Sequence, residues 1–208
     1  RNSIELFDYS TGKNITIALD ESKTLNENAQ NYFKLYTKSK TTKEKSEEML
    51  RKLTQEKEYY ENVLYSLGHA EDRDTIAEIE SELNYGEEKK KDEKSGKLNI
   101  EKLNIKGFEV FIGKNNKQND YIVSKIAKDE DYWFHVRMCA GSHVLLKTNG
   151  KEPEVEVLLE CSKLARKYSS AKQPSKIAVI YTLAKNLKKP PSSPLGYVTY
   201  KNEKEILI

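Results

Sequence analysis

A long segment without glycine or proline, from Asn26 to Leu67, constrains the fold of this chain more than any other feature. Proline breaks helices and glycine weakens them, so their absence over this length favours one uninterrupted helix. At about 1.5 Å per residue the helix would be roughly 60 Å long, which is typical of a coiled-coil arm. A heptad pattern fits the segment, and eight of its twelve seam positions are apolar or aromatic: Ala29, Tyr32, Tyr36, Ser39, Lys43, Ser46, Leu50, Leu53, Lys57, Tyr60, Leu64 and Leu67.

Shorter elements flank this helix. Residues 3–19 alternate between apolar and polar around a turn at residues 11–13, which predicts a β-hairpin. Asn26 is the expected N-cap of the long helix, and Gly68 is expected to end it. An apolar stripe at Ile76, Ile79 and Leu83 predicts a second helix, from Asp74 to Tyr85, that folds back on the first.

The next segment, residues 86–97, contains no apolar residue and is interpreted as a charged linker. We therefore predict a hairpin and coiled-coil region at residues 1–86, a linker at 87–99 and a second domain at 100–208. The predicted fold class is α+β, with a long helical arm and a small hairpin followed by a compact mixed α/β domain.

The second domain is predicted to mix strands and helices. A short helix is expected from Asn119, as its N-cap, to Ile126, and a longer one from Glu152 to Tyr168. Three prolines in residues 188–194 require a loop. The predicted strands are residues 108–112, 132–136, 142–147, 177–181, 196–200 and 205–208.

Charge is distributed unevenly along the chain. Residues 1–100 carry 17 basic and 21 acidic side chains, whereas residues 101–208 carry 19 and 12. A basic half favours contact with phosphate backbones or an acidic surface, although a lysine-rich solvated face is the alternative. No apolar run is long enough to span a bilayer, so no membrane contact is expected. The chain begins at Arg1 without Met, so we expect it to be a fragment.

A polar loop, GKNNKQND at residues 113–120, is predicted to enter a helix. Free backbone N–H groups at a helix N-terminus attract phosphate, and side-chain amides can bond base edges or sugars. The candidate RNA-binding residues of this loop are Lys114, Asn115, Asn116, Lys117, Gln118 and Asn119. An asparagine-rich turn with no ligand is the alternative interpretation.

A second candidate surface is the strand around the only Trp. If Phe134 and Val136 face the core, alternation places Trp133, His135 and Arg137 on the opposite face, where they could stack on bases and pair with phosphate. Which of the two faces is buried stays open at this stage. Further candidate RNA contacts are Ser142 and His143 beside a glycine turn, and Lys185, Lys188 and Lys189 beside the prolines.

The spacing of His135, Cys139 and His143 also suggests two other kinds of site, a metal site or a Cys–His nucleophile. Only three ligands are present and no zinc pattern fits, and no acidic residue is placed to orient the histidines. We therefore expect no metal, no cofactor and no enzyme activity. With two cysteines and no disulfide pattern, a reduced, cytoplasmic location is expected. Cell-surface presentation without a signal peptide is the alternative.

These motifs also carry a family resemblance over nearly the whole chain. The segment ITIALDESKTLNENAQNYFKLYTKSK resembles the lead into the coiled-coil middle domain of the NFACT proteins. The segments GKNNKQND, DYWFHVRMCAGSHV, KYSSAK and YTLAKNLKKP resemble their C-terminal RNA-binding module in order and spacing. The family's N-terminal domain, helix-hairpin-helix region and first coiled-coil helix are not recognised in this chain.

The resemblance implies a function in ribosome quality control. It implies binding to the large ribosomal subunit (rRNA and ribosomal proteins) with peptidyl-tRNA, and recruitment of tRNA for C-terminal alanine tailing of stalled nascent chains. This fragment is expected to bind RNA without completing the tailing reaction. Because the long helix lacks its usual partner, dimerisation through its seam is a further expectation. An adhesin that binds fibronectin, as an older family name suggests, is the alternative function.

Overall fold

The computed structural model describes residues 2–83, 98–171 and 176–208. The chain divides into two compact units, one ending at Leu53 and the other running from Thr54 to Ile208. The helices are α1 (Leu25–Gly68), α2 (Arg73–Leu83), α3 (Asn116–Tyr121) and α4 (Val155–Lys167). The strands are β1 (Ser3–Asp8), β2 (Lys13–Ala18), β3 (Glu101–Ile105), β4 (Phe108–Ile112), β5 (Tyr132–Val136), β6 (Val144–Lys147), β7 (Ala178–Leu183) and β8 (Lys204–Leu207).

The first unit contains the predicted hairpin and most of the long helix. Strands β1 and β2 pair antiparallel, and the Asp8 carboxylate accepts hydrogen bonds from Ser10 and Thr11 in the turn between them. Helix α1 begins with a capping box in which the Thr24 hydroxyl accepts from the Glu27 amide and the Glu27 carboxylate accepts from the Thr24 amide. The helix is confirmed, but the prediction of Asn26 as its N-cap is wrong because Thr24 takes that position.

The second unit begins inside α1 and includes the predicted second helix. The Asp72 carboxylate accepts a hydrogen bond from the Thr75 amide and so caps α2 at its N-terminus. Tyr59 of α1 lies close enough to Glu82 of α2 to oppose the rise in the pKa of that carboxyl, and the fold-back of α2 along α1 stays a prediction. The predicted linker falls largely on residues 84–97, which lie outside the described residues, so the proposed domain boundaries stay predictions.

Six antiparallel strands form the sheet of the second unit, in the order β3-β4-β6-β5-β7-β8. Helix α4 packs across β5, β6 and β7 on one face. On that face Phe134 and Val136 are buried together with Val157 and Cys161 of α4. Burial raises the pKa of the Cys161 thiol to about 12, so this cysteine is an inert part of the core.

The opposite face of the sheet is covered as well. Trp133, Leu145 and Ile180 form a second core there with Ile122, which follows α3. Val198 and Tyr200, in the loop before β8, pack against the same cluster. Alternation along β5 therefore separates Trp133 from Phe134 as predicted, and both sides of the strand are buried.

The α+β class and most of the predicted elements are confirmed, with three further corrections. Asn119 does not cap a helix; Asn115 caps α3, and a π-helical turn at Ile122–Ile126 follows it. The predicted strand at residues 196–200 is replaced by a single bridge between Lys188 and Thr199. Strand β3 was not predicted. None of the helices in the described part of the chain combines the length and apolar character that crossing a membrane requires.

Candidate nucleic-acid interface

The polar loop before α3 is held by its own side chains. The Asn115 side chain caps α3 by accepting from the Gln118 amide at 2.8 Å. The Gln118 side-chain oxygen in turn accepts from the Lys114 amide at 3.0 Å. The loop and the first turn of α3 are therefore fixed by reciprocal amide bonds, which is why the sequence places asparagine and glutamine there.

The same amides are bonded to helix α2. The Asn115 and Gln118 side-chain N–H groups both donate to Glu78, each at 2.7 Å, and Asn116 donates to Glu82 at 2.8 Å. Glu78 and Glu82 are four residues apart and so share one face of α2. The structure therefore turns these amides towards carboxylates of α2, and base edges could reach them only if α2 moved away.

Burial distinguishes the amides from the lysines of the loop. The side chains of Asn115, Asn116, Gln118 and Asn119 are all at most 4% exposed. Lys114 is half-buried and forms an ion pair with Glu101 at 2.9 Å, and Lys117 donates to the Ser81 hydroxyl. The predicted RNA-binding role of these six residues stays a prediction, and the contacts observed for them are internal.

Glu82 is a buried acid at the centre of this contact, only 3% exposed. One of its oxygens accepts from Asn116, and the other has no hydrogen-bond partner among the described residues. Burial raises the pKa of Glu82, while the hydrogen bonds from Asn116 and Tyr59 oppose that rise.

Asn119 connects α3 to the turn that follows β5. Its side-chain oxygen accepts from the His143 amide at 2.9 Å, and its side-chain nitrogen lies 3.5 Å from the Gly141 oxygen. Gly113 makes room for this bond, because a Cβ at that position would lie 2.2 Å from the Asn119 side-chain oxygen. Asn62 of α1 completes the arrangement by accepting from the Gly141 amide at 2.9 Å.

Three aromatic rings meet beside this turn. Trp133 and His135 are stacked with ring centroids 5.7 Å apart, and His143 meets both rings edge-on. The His135 Nε2–H donates to the Gly141 oxygen at 3.3 Å. The structure thus brings together Trp133, His135 and His143, three of the residues predicted from sequence, although Trp133 is only 1% exposed.

Both histidines of this cluster favour the neutral form. Burial lowers the pKa of His135, and it lowers the pKa of His143 well below its usual value, with the nearby His135 as a second cause. The side-chain Nδ1 of His143 and the indole Nε1 of Trp133 are buried without a hydrogen-bond partner among the described residues. In those residues no group of three His, Cys, Asp or Glu could hold a metal ion.

A cavity of about 360 Å³ adjoins the aromatic cluster within the second unit. Its walls are contributed by α1 between Thr54 and Asn62, by β5 and the turn after it, and by residues 194–200. The α1 residues of this site were not predicted from the sequence. Tyr59 and Asn62 lie in a helix whose pattern indicated only a coiled-coil seam, so no local signal could have found them.

The remaining predicted residues differ in their contacts. Arg137 pairs with Glu205, and Lys189 pairs with Asp120. Ser142 is buried, and its amide donates to the Tyr168 oxygen. Lys185 and Lys188 are exposed, and among the described residues neither has an ion-pair partner. These two are therefore the predicted cations most accessible to a phosphate.

Comparison with known protein families divides the chain into two matching regions. Residues 1–99 match the model of the NFACT N-terminal and middle domains, and residues 100–202 match that of the NFACT protein RNA binding domain. The chain is similar to a solved structure, the C-terminal part of the fibronectin/fibrinogen-binding protein from Streptococcus suis. The two share 34% sequence identity with a TM-score of 0.76, over 88% of this chain and 76% of that one.

Curated relatives point to the same family. The chain is 33% identical to the Rqc2 homolog RqcH of Bacillus subtilis, over 93% of this chain and 35% of that protein. It is 32% identical to the RqcH of Streptococcus suis, over its whole length and 38% of that protein. A more distant relative, coiled-coil domain-containing protein 25 of Bos taurus, is 29% identical over 51% of this chain. This chain thus spans little more than a third of the length of its RqcH relatives, and it belongs to the NFACT family.

Proposed function

We propose that this chain is an RNA-binding part of a ribosome quality-control factor. The observation that carries the proposal is the match of residues 100–202 to the NFACT RNA binding domain, together with similarity to RqcH over nearly the whole chain. In the RqcH relatives, whose name assigns them as homologues of Rqc2, the matching region is about a third of the protein.

The accessible cations support an RNA ligand. Lys185 and Lys188 flank the start of the proline-rich loop and carry no ion pair among the described residues. The bridge between Lys188 and Thr199 holds the loop at this point through two backbone hydrogen bonds of 2.7 and 2.8 Å. Lysines fixed on an ordered loop contact phosphates with less loss of freedom than lysines on a mobile chain.

The proposal includes a function on the ribosome. The chain binds tRNA and the large ribosomal subunit with peptidyl-tRNA, and it assists C-terminal alanine tailing without catalysing a bond-forming step itself. Its RNA site contacts the backbone and bases of the RNA and supplies no nucleophile. The seam of α1, with Tyr36 and Leu50 more than 60% exposed, is the surface by which the chain pairs with another helix.

Fluorescence anisotropy of labelled tRNA over a salt series tests the proposal on the 208-residue chain. Binding should weaken steeply with salt, because each neutralised phosphate releases counterions. Replacing Lys185 and Lys188 with Ala should weaken binding and lower the slope of log K against log salt by about one per lysine. The matched control replaces Lys38 and Lys40 of α1, and it should change binding less. A chain that fails to bind tRNA at low salt would overturn the proposal.

Fibronectin binding is a second candidate, favoured by one observation. The solved structure with 34% identity is part of a protein named for binding fibronectin and fibrinogen. A protein–protein contact of this kind would survive salt concentrations that remove RNA. Immobilised fibronectin that retains the chain at high salt, with no tRNA binding at low salt, would favour this second function over the first.

A further inference from the structure

The cavity beside Trp133 has walls of a kind suited to a flat, uncharged ring. Trp133, His135 and Tyr200 form one side, and Tyr59 of α1 and Tyr197 of the loop before β8 also line it. Met138, at the rim, is 96% exposed, so the cavity reaches the surface. Its volume of about 360 Å³ lies at the lower end of ordinary ligand pockets, which range from about 300 to 1,000 Å³.

Charge excludes a phosphate from the interior. Both histidines are held neutral by burial, and the carboxylates of Glu58 and Glu61 line the cavity on the α1 side. Among the described residues Lys57 is the only lysine in the lining, and it pairs with Glu61 at 3.4 Å. An anion entering the cavity would meet carboxylates and neutral rings, so a ligand that fits must be uncharged or cationic there.

Hydrogen-bonding groups are present and unused. Trp133 Nε1–H is a donor, and His143 Nδ1 can donate or accept according to its tautomer. Both atoms are buried without a partner among the described residues, and both side chains line the cavity. Buried polar atoms in this condition cost free energy. Because neither atom is accessible to solvent from the cavity, a ligand edge would recover that cost only after a small shift of the surrounding rings.

A lysine that could contact a phosphate attached to such a ring lies next to the residues that line the cavity. The backbone of Lys188 is bonded in both directions to Thr199, whose two neighbours Val198 and Tyr200 line the cavity. Lys188 is exposed and has no ion-pair partner among the residues that the structure describes. A neutral ring could thus enter the cavity while an attached phosphate stays outside it near this lysine.

We propose that this cavity takes one unpaired nucleobase of a bound RNA strand, stacked among its aromatic rings, with the phosphates remaining outside. This inference rests on the proposed RNA-binding function and adds to it a site and a mode of recognition. Single-stranded RNA is commonly bound by splaying bases out onto aromatic side chains and bonding their edges.

The only Trp of the chain reports on the site directly. Two single-stranded RNA oligomers are compared on the 208-residue chain, one with bases and one of the same length whose residues are abasic. Anisotropy of an end label measures binding, and Trp133 fluorescence, excited where bases do not absorb, measures occupancy of the cavity. We expect the oligomer with bases to quench Trp133 saturably, and the abasic oligomer to bind without quenching.

Variants extend the test. Tyr197→Ala removes a lining ring from a loop and should weaken binding of the oligomer with bases by about fivefold or more, leaving the abasic oligomer unaffected. The matched control is Tyr9→Ala, because Tyr9 is 91% exposed and does not line the cavity. Thermal unfolding verifies that each variant is folded, and the comparison of the two oligomers on the unaltered chain does not depend on any variant.

The outcomes separate the two levels of the proposal. Equal binding of both oligomers without quenching would overturn the nucleobase site while RNA binding itself stands. Binding of neither oligomer would overturn the proposed function and the site with it. Saturable quenching by a tyrosine-containing peptide, with none by RNA, would assign the cavity to a protein ligand and overturn the inference.

Discussion

The side-chain oxygen of Asn62 accepts a hydrogen bond from the backbone amide of Gly141 at 2.9 Å. The two residues are 79 positions apart, and the bond joins α1 to the turn after β5. The backbone oxygen of Gly141 in that turn also accepts a hydrogen bond from His135. A helix that the sequence marks only as a coiled-coil segment thus supports the turn beside the aromatic cluster.

Replacing Asn62 with Ala should destabilise the second unit. The change leaves the Gly141 amide without its acceptor, and a buried unsatisfied donor costs about 1–3 kcal/mol. Urea unfolding measures the effect as a lower midpoint. Asn26→Ala, at an exposed position of α1, is the matched control and should leave the midpoint nearly unchanged. Equal midpoints for the two variants would show that the Asn62 bond contributes nothing.

Asn119 leaves too little space for a side chain at residue 113, so substitution of Gly113 should destabilise the fold. A Cβ at residue 113 would lie 2.2 Å from the Asn119 side-chain oxygen and 2.9 Å from its backbone nitrogen, so the loop must shift. Gly113→Ala should therefore lower the free energy of unfolding by about 1–3 kcal/mol. Gly68→Ala is the control, because a Cβ there meets nothing within 4 Å. A Gly113→Ala chain as stable as the control would contradict the close approach.

The raised pKa of Glu82 should make the stability of the folded chain depend on pH. Burial raises its pKa in the folded chain, so the folded state holds this proton more tightly than the unfolded state. Stability is therefore lost as pH rises from the ordinary glutamate pKa through the raised value. Glu82→Gln removes this loss, and its advantage over the unaltered chain should grow from pH 4 to pH 7.

Urea unfolding at several pH values measures the difference between the two chains. The control Glu80→Gln changes an exposed carboxylate on the same helix. An advantage of Glu82→Gln that stays constant with pH would show that Glu82 titrates alike in the folded and unfolded states.

His143 should give stability a pH dependence of the opposite sign, centred on the histidine pKa. Its pKa is lowered in the folded chain, so the unfolded state binds the extra proton more readily. Stability is therefore lost as pH falls through the ordinary histidine pKa of about 6.5. A His143→Gln chain should show a smaller loss between pH 8 and pH 5.

NMR titration of the ring protons gives an independent check on His143. The His143 signals should stay those of a neutral ring at pH values where the unfolded chain is already protonated. In the comparison of stability between pH 8 and pH 5, the control variant is His69→Gln, because His69 is exposed. Protonation of His143 at its ordinary pKa would refute the buried, neutral cluster.

Period-two patterns made much of the sheet predictable. Alternation in β5 separated Phe134 from Trp133 correctly, because successive side chains of a strand point to opposite faces. It could not show that both faces are buried. The cover over Trp133 comes from Val198 and Tyr200, in residues 196–200, which the sequence predicted as a strand and which the structure instead folds as a loop over the sheet.

The partners of the polar loop were beyond prediction for a related reason. Asn115 and Asn116 bond Glu78 and Glu82, which lie 37 and 34 positions earlier in a helix with an ordinary acidic surface pattern. Nothing local relates the amides to those carboxylates. By contrast, the capping box of Thr24 and Glu27 is a sequence-level signal that the prediction of Asn26 as N-cap passed over.

Sedimentation with purified large ribosomal subunits tests the central claim, RNA binding in ribosome quality control, most directly. The 208-residue chain should pellet with the subunits at low salt and be released as salt rises, because phosphate contacts exchange with counterions. The chain with Lys185→Ala and Lys188→Ala should be released at lower salt than the chain altered at Lys38 and Lys40. A chain that stays in the supernatant with intact subunits at low salt would contradict the account.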